Sequence, residues 1–368
     1  MPSCVGGYTL WAIMLADIIP RTFFQPPQSD IVLWLLCVAA IAMLVSGADR
    51  AVTAAVRLAR AMGMSTVIIG ATVVSLGTTS PEAFTSVTAA FRGQPGLALG
   101  NGVGSIIIDT ALIFGLCCCI TRLGKDRFVL HRHGWLQLAA GVLLAVTLAL
   151  LAWANGGFVG VVIPRWVGLT FVAGLVGYLW VSVRWARRHP RIPGAEAGGG
   201  EGARATAGSV VVPLGVLAFG LAMVLVGSDI MVSSAGELCL RYGVPQSVLA
   251  VTLVAFGTSL PELTTAIASI VKGHTELLVG NVIGADILNV LFVIGASAAA
   301  VPLKVPVEFY YLHVPVMLVG LVLMRLFIFA DGGAFRRRHG AALLAVFGGY
   351  YAALLVLVRL GYLKYQPL

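Results

Sequence analysis

The sequence predicts an all-α polytopic membrane protein of about ten transmembrane helices, built as two inverted five-helix repeats. Three observations predict it. The composition is too apolar for a water-facing surface, the apolar stretches are long enough to cross a bilayer, and the chain contains a gapless internal repeat.

Of 368 residues, 59% are hydrophobic and 11% charged, and the mean hydropathy is +0.97. A soluble globular domain carries roughly 25% charged residues, so the expected solvent is lipid. A helix needs about 20 apolar residues to cross a hydrocarbon core of ~30 Å, and in lipid only helices and closed barrels satisfy the whole backbone. The period-2 alternation of a barrel is absent. Ten spans can be laid out, at about 31–57, 65–91, 97–120, 134–153, 162–186, 209–240, 246–271, 277–301, 309–330 and 341–363.

These spans divide the chain into an N-terminal arm (1–30), a first repeat (31–189), a flexible linker (190–208) and a second repeat (209–368). The linker stretch is rich in Gly and Ala and nearly free of large apolar residues, which marks a hinge-like connection. In the arm, the apolar run 8–19 is too short to span. No basic segment precedes it, so a cleaved signal is not expected.

The net charge of +9 does not point to nucleic acid, because the basic residues sit in short clusters between apolar runs. With the N-terminus outside, one face collects Arg57, Arg60, Arg122, Lys125, Arg127, Arg132, the group Arg184 to Arg204, Lys272 and Arg336 to Arg338. The other face keeps Arg21, Arg92, Arg165, Arg241, Lys304, Arg359 and Lys364. Positive-inside topology then puts both termini outside a cell (inner) membrane. Cys117, Cys118 and Cys119 are consecutive, so they cannot converge on a metal as spaced ligands would; they read as small buried hydrophobes.

Residues 65–115 align with 245–295 at a constant shift of 180. Gly77-Thr78-Thr79-Ser80-Pro81-Glu82 matches Gly257-Thr258-Ser259-Leu260-Pro261-Glu262, Gly100-Asn101 matches Gly280-Asn281, and Gly104 matches Gly284. Upstream, Met43, Gly47 and Asp49 match Met223, Gly227 and Asp229. Shared hydrophobicity alone would not bring Pro onto Pro and Glu onto Glu in one register. Five spans separate equivalent points, and an odd number reverses direction through the bilayer. Secondary transporters are commonly built this way, with the ion site at the midplane between repeats.

Glu82 and Glu262 fall near the middle of the second and seventh spans. An ionised carboxylate there costs about 2.5–3.5 kcal/mol on insertion scales, so it requires a partner or a cation. Thr78 and Thr258 lie four residues earlier, on the same helical face. Pro81 and Pro261 supply no N–H to the carbonyls of Gly77 and Gly257, which breaks each helix beside its carboxylate. Hydroxyl, carboxylate and carbonyl oxygens suit a hard cation: calcium takes six to eight of them. A transition-metal site would use Cys or His, and none of the six histidines lies in these motifs.

The third and eighth spans add Ser105 and Asp109, whose counterparts are Ala285 and Asn289. Asp286, three residues before Asn289, has Ile106 as its mate. It reads either as a further ligand or as an acid bonded to a neighbouring helix. Asn101 and Asn281 are expected to bond backbone groups. Asp49 and Asp229 are expected to act as caps or interhelix hydrogen-bonding groups.

G-T-T-S-P-E at 77–82 and G-T-S-L-P-E at 257–262, with G-N-G-V-G-S-I-I-I-D at 100–109 and G-N-V-I-G-A-D-I-L-N at 280–289, resemble the alpha repeats of the sodium/calcium exchanger (cation/calcium antiporter) superfamily. The resemblance covers most of the chain from about residue 31. It implies a ten-helix exchanger, with a central calcium site at Glu82, Glu262, Thr78 and Thr258. Flanking sodium sites would use Ser75, Thr79, Ser105, Ala255 and Ser259, and Asp109 and Asn289 would fill the remaining midplane positions. The chain departs from the pattern in three ways. Asp109 and Asn289 are swapped between repeats relative to prokaryotic sodium/calcium members, Ala285 replaces a motif Ser, and Ile106 stands where Asn is usual.

The expectation is therefore a secondary antiporter exchanging Ca2+ for Na+ by alternating access, not an enzyme. The ions are substrates, no cofactor is expected, and no obligate protein partner is evident. A Ca2+/H+ antiporter on the same fold is the near alternative. A cation channel or membrane enzyme is remote, since neither a filter-like carbonyl loop nor an H-E-x-x-H pair is present.

Overall fold

The structure is a computed structural model that describes residues 29–62, 64–91, 93, 95–124, 127–188, 207–241, 255–329 and 334–360. The described residues are helical almost throughout. The first half contains α1 (Asp30–Met62), α2 (Thr66–Thr78), α3 (Ser80–Phe91), α4 (Pro95–Ile120), α5 (Arg127–Ala154) and α6 (Arg165–Arg188). The second contains α7 (Ala207–Arg241), α8 (Ala255–Thr258), α9 (Leu260–Val271), α10 (Thr275–Ala300), α11 (Phe309–Phe329) and α12 (Arg337–Arg359).

Among the described residues eight helices are long and apolar enough to cross a membrane, and the bent pair α2–α3 makes a ninth. The expected span 246–271 is described only from Ala255, where it appears as α8 and the 12-residue α9. Nearly all of the N-terminal arm and of the linker 190–208 lies outside the described residues, as do positions 242–254. The outer surface is what lipid demands: Leu35, Val38, Leu150, Val176 and Val211 are exposed, and so are the tryptophans Trp34, Trp153 and Trp166 near helix ends.

The repeats are inverted, and the packing shows it twice. α1 and α7 are repeat mates, yet Arg241 at the end of α7 pairs with Asp30 at the start of α1 at 2.7 Å, so the two helices run antiparallel. Their contact is symmetric. A Cβ on Gly47 would stand 2.8 Å from Met223 Cβ, and one on Gly227 would stand 3.1 Å from Met43 Cβ. Small residues let the two backbones approach closely, which in lipid is a main source of helix association.

The second demonstration lies in the connections. β1 (Leu123–Gly124), after α4, pairs antiparallel with β4 (Ala334–Phe335), while β2 (Val162–Ile163) pairs with β3 (Leu303–Lys304), after α10. One crossing helix, α5, separates β1 from β2, so they lie on opposite faces. β3 is the mate of β1 at a shift of 180, yet it sits with β2. Equivalent points are therefore on opposite sides of the membrane.

α4 and α10 form the centre, and most of α10 is buried. α2 lies against α10 where glycines allow it: a Cβ on Gly284 would stand 2.5 Å from Ala71 O and 2.6 Å from Ser75 Oγ. Replacing Gly284 with alanine is expected to cost about 1–3 kcal/mol, because a backbone carbonyl has to move. The measurement is the melting midpoint of purified protein in detergent. Gly177→Ala serves as reference, since its Cβ would meet nothing within 4 Å among the described residues; equal midpoints for the two variants would refute the close approach.

Candidate functional site

The two Pro-Glu segments break their spans as the sequence predicts. α2 and α3 meet at Thr79 (φ −82°, ψ −6°) with a bend of 41°, and α8 and α9 meet at Ser259 (φ −89°, ψ 7°). Pro261 cannot donate to Gly257 O, and that carbonyl instead accepts from Ser228 Oγ in α7 at 2.8 Å. The repeat mate of Ser228 is Ala48, which has no hydroxyl, so Gly77 O gains no such cap from α1.

The breaks place both glutamates in the protein interior rather than toward lipid. Glu82 and Glu262 are each 1% exposed, and Asp109 and Asn289 match them. Ser75, Thr78, Thr79, Ser105 and Ser259 are buried as well, and Thr258 is half-buried. Ala255 opens α8. Asp109 lies in a π-helical turn of α4, Ile108–Phe114, and Asn289 opens the equivalent turn of α10, Asn289–Ile294. A π-helical turn carries one residue more than the α-helical ladder and recurs at functional sites.

Side chains of the two repeats meet at these breaks. Thr79 Oγ1 donates to Glu262 Oε1 at 3.4 Å, and Thr78 stands at the same carboxylate. From the other half, Thr258 Oγ1 donates to Asn101 Oδ1 at 3.1 Å. Asn101 Nδ2 in turn donates to Glu82 O at 3.1 Å and Ser86 Oγ at 2.9 Å. Glu82 is within electrostatic reach of Glu262 and Asp109, and Asp109 of Glu262, with Ser259 beside it. Glu82 Oε2, Glu262 Oε2, Asp109 Oδ1 and Asn289 Oδ1 are buried without a hydrogen-bond donor.

Such an arrangement is a set of acceptors waiting for a positive charge. Buried acceptors left unpaired cost about 1–3 kcal/mol each, and more when ionised. Among the described residues no three acidic, imidazole or thiol side chains converge closely enough to hold a metal alone. A bound cation would draw on hydroxyl, amide and backbone oxygens besides the carboxylates, as hard cations do.

Asn101 bonds a backbone carbonyl as expected, whereas Asn281 donates to the Thr265 hydroxyl at 3.3 Å. Asp49 forms an interhelix ion pair with Lys272 at 2.7 Å. Asp286 Oδ2 is taken by Thr110 and by Gln137 Nε2. Sequence reasoning passed over three of these partners. Gln137 carried a signal, as a lone amide within a long apolar helix. Thr110 and Ser228 carried none, being adjacent to the more conspicuous Asp109 and Asp229.

A family model described as "Sodium/calcium exchanger protein" matches residues 32–184 and 212–356. The inner membrane protein YrbG of Escherichia coli is 33% identical over 79% of this chain and 87% of its own length. The sodium/calcium exchanger MaX1 of Methanosarcina acetivorans is 26% identical over 88% of this chain and 98% of its own. Among solved structures, the sodium-calcium exchanger NCX_Mj soaked with sodium and strontium superimposes with a TM-score of 0.72 at 26% identity, covering 88% of this chain and 99% of that one.

Asn101 ties both repeats together, so Asn101→Leu is expected to destabilise the protein by about 1–3 kcal/mol through buried groups left unpaired. A double-mutant cycle with Thr258→Val, read as melting midpoints, should show the two changes to be non-additive. Strict additivity would mean that the Thr258–Asn101 bond is not made.

Proposed function

The chain belongs to the sodium/calcium exchanger family, and from that premise we propose that it exchanges Ca2+ for Na+ across the membrane at a site shared by its two repeats. Membership carries cation/calcium exchange by a multi-pass membrane protein that is not an enzyme. Sodium coupling, the ligand set and the placement of the termini are the proposed part.

One observation carries it: Glu82 and Glu262, one from each repeat, are buried within electrostatic reach of each other, each with an oxygen that no donor reaches. Two carboxylates balance one Ca2+. Thr78, Thr258, Asp109 and Asn289 add neutral and acidic oxygens around the pair. Ser75, Thr79, Ser105, Ala255 and Ser259 supply hydroxyl or backbone oxygens for Na+ on either side of it. Emptied of Ca2+, the same carboxylates hold Na+ ions instead, and this competition couples the two fluxes. A site lying between inverted repeats opens to one side or the other as the halves rearrange around it.

The sidedness follows from charge. β1 and β4 bring Arg122 to the same face as Arg336, Arg337 and Arg338, as the positive-inside reading requires of a cytoplasmic face. Both chain termini then lie outside an inner membrane, and 190–208 links the repeats on the inside.

Proton coupling is the second reading, and one observation favours it. Ala285 is buried and brings a methyl where the motif has a hydroxyl, which leaves the second repeat one oxygen short for Na+. Purified protein in liposomes, with sodium and pH gradients imposed separately, decides between them. Outward-directed Na+ is expected to drive 45Ca uptake at uniform pH. Uptake that follows only a pH gradient would replace sodium by protons. Glu82→Gln and Glu262→Gln are each expected to abolish uptake, and undiminished transport by both would remove the proposed site.

A further inference from the structure

Behind the acid-bearing turn of α4 lies a polar node that the central site does not use. Asp286 in α10 is 1% exposed, and its Oδ2 accepts from two other helices: from the Thr110 hydroxyl in α4 and from Gln137 Nε2 in α5, the latter at 2.6 Å. Gln137 Nε2 also lies 3.3 Å from Met324 Sδ in α11. One turn earlier on α11, Gly320 lies beside the Thr110 methyl, and a Cβ there would make ordinary contact with Thr110 Cγ2 at 3.6 Å. One carboxylate thus joins three helices directly, and its partner Gln137 reaches a fourth.

The inverted repeat supplies its own control. At the shift of 180, the mate of Asp286 is Ile106 and the mate of Thr110 is Val290; both are buried. The places that Asp286 and Thr110 hold in one repeat-related pair of positions on α4 and α10 thus belong, in the other, to two buried aliphatic side chains. Packing does not require the acid, and the aliphatic version avoids the desolvation of a charge. The two versions also differ in what they flank. Val290 follows Asn289, whereas Thr110 follows Asp109, whose carboxylate lies within electrostatic reach of Asp286. The polar junction accompanies the turn that presents an acid, and the apolar one accompanies the turn that presents an amide.

We propose that Asp286 is a positioning residue for cation binding: through Thr110 and Gln137 it fixes the π-helical turn of α4 so that Asp109 faces the shared site. The inference rests on the central-site reading given above. A π-helical turn interrupts the regular α-helical ladder of its helix, so the aim of a side chain carried on it is set by what holds the turn from outside. Asp286 provides that tie from α10 and is itself held from α5. Partners that orient a ligand from behind typically govern about 10–100-fold in metal affinity.

The test uses the full-length protein in liposomes, with Ca2+ KM and maximal rate measured separately. Thr110→Val keeps the shape and removes the hydroxyl. Asp286→Leu keeps roughly the volume and removes the oxygen to which both donors bond. Each is expected to raise the Ca2+ KM roughly tenfold or more while the maximal rate stays within about threefold, and Thr110→Ser is expected to restore the KM. A Ca2+ KM within about twofold of the parent in Thr110→Val would overturn the proposal, as would equal defects in Thr110→Val and Thr110→Ser, which would reduce the node to packing. Should Asp286→Leu fail to fold, the threonine pair decides alone. Glu82→Gln run alongside separates the two levels: transport surviving in that variant sinks the central site, whereas transport lost there with KM unmoved in Thr110→Val sinks only the node.

Discussion

Two carboxylates held at the depth of a hydrocarbon core, with no basic side chain described against them, set the terms for everything around them. Lipid offers no water to hydrate them, and ion pairing with Lys or Arg would close the site to any mobile cation. The chain's answer is to place each glutamate at a helix break, where a proline removes one backbone bond and a hydroxyl stands within reach. The close glycine contacts of α2 with α10, and of α1 with α7, bring these breaks into one interior. Lose the inward aim of those side chains and the fold keeps its helices but has no reason to carry buried acid.

Much of this was legible before any coordinates. The shift of 180 between Pro81-Glu82 and Pro261-Glu262 fixed the inversion, because the parity of spans is a matter of counting, and the antiparallel pairing of α1 with α7 bears it out. The helix breaks were legible for a local reason: proline lacks an N–H wherever it sits. What the sequence left open was which groups meet across the repeats. The bond from Thr258 to Asn101 depends on how α8 lies against α4, and no periodicity within either helix encodes that. Asp286 shows the same limit. Its spacing from Asn289 allowed either a ligand or an interhelix tie, and only the positions of Thr110 and Gln137 bring its Oδ2 to the second role.

The two repeats differ in chemistry at matched positions. Asp109 in one stands where the other has Asn289, and the hydrogen bonding of nearby segments differs too. Ser228 caps Gly257 O where Ala48 leaves Gly77 O without an equivalent, and Asn101 is met by Thr258 where Asn281 turns instead to Thr265. Each difference is a matter of one or two atoms. Together they give the halves the same path and different chemistry, which pseudosymmetry tolerates because a midplane site is lined from both directions.

That last point bears on energetics. If the halves were chemically identical, two arrangements exchanged by the twofold axis that relates the repeats would be equal in free energy. The carboxylate–hydroxyl bond of Asp286 and Thr110, set against buried aliphatic side chains at the matched positions Ile106 and Val290, removes that equality. Two arrangements exchanged by the repeat axis are then no longer equal in free energy, and the halves are not interchangeable.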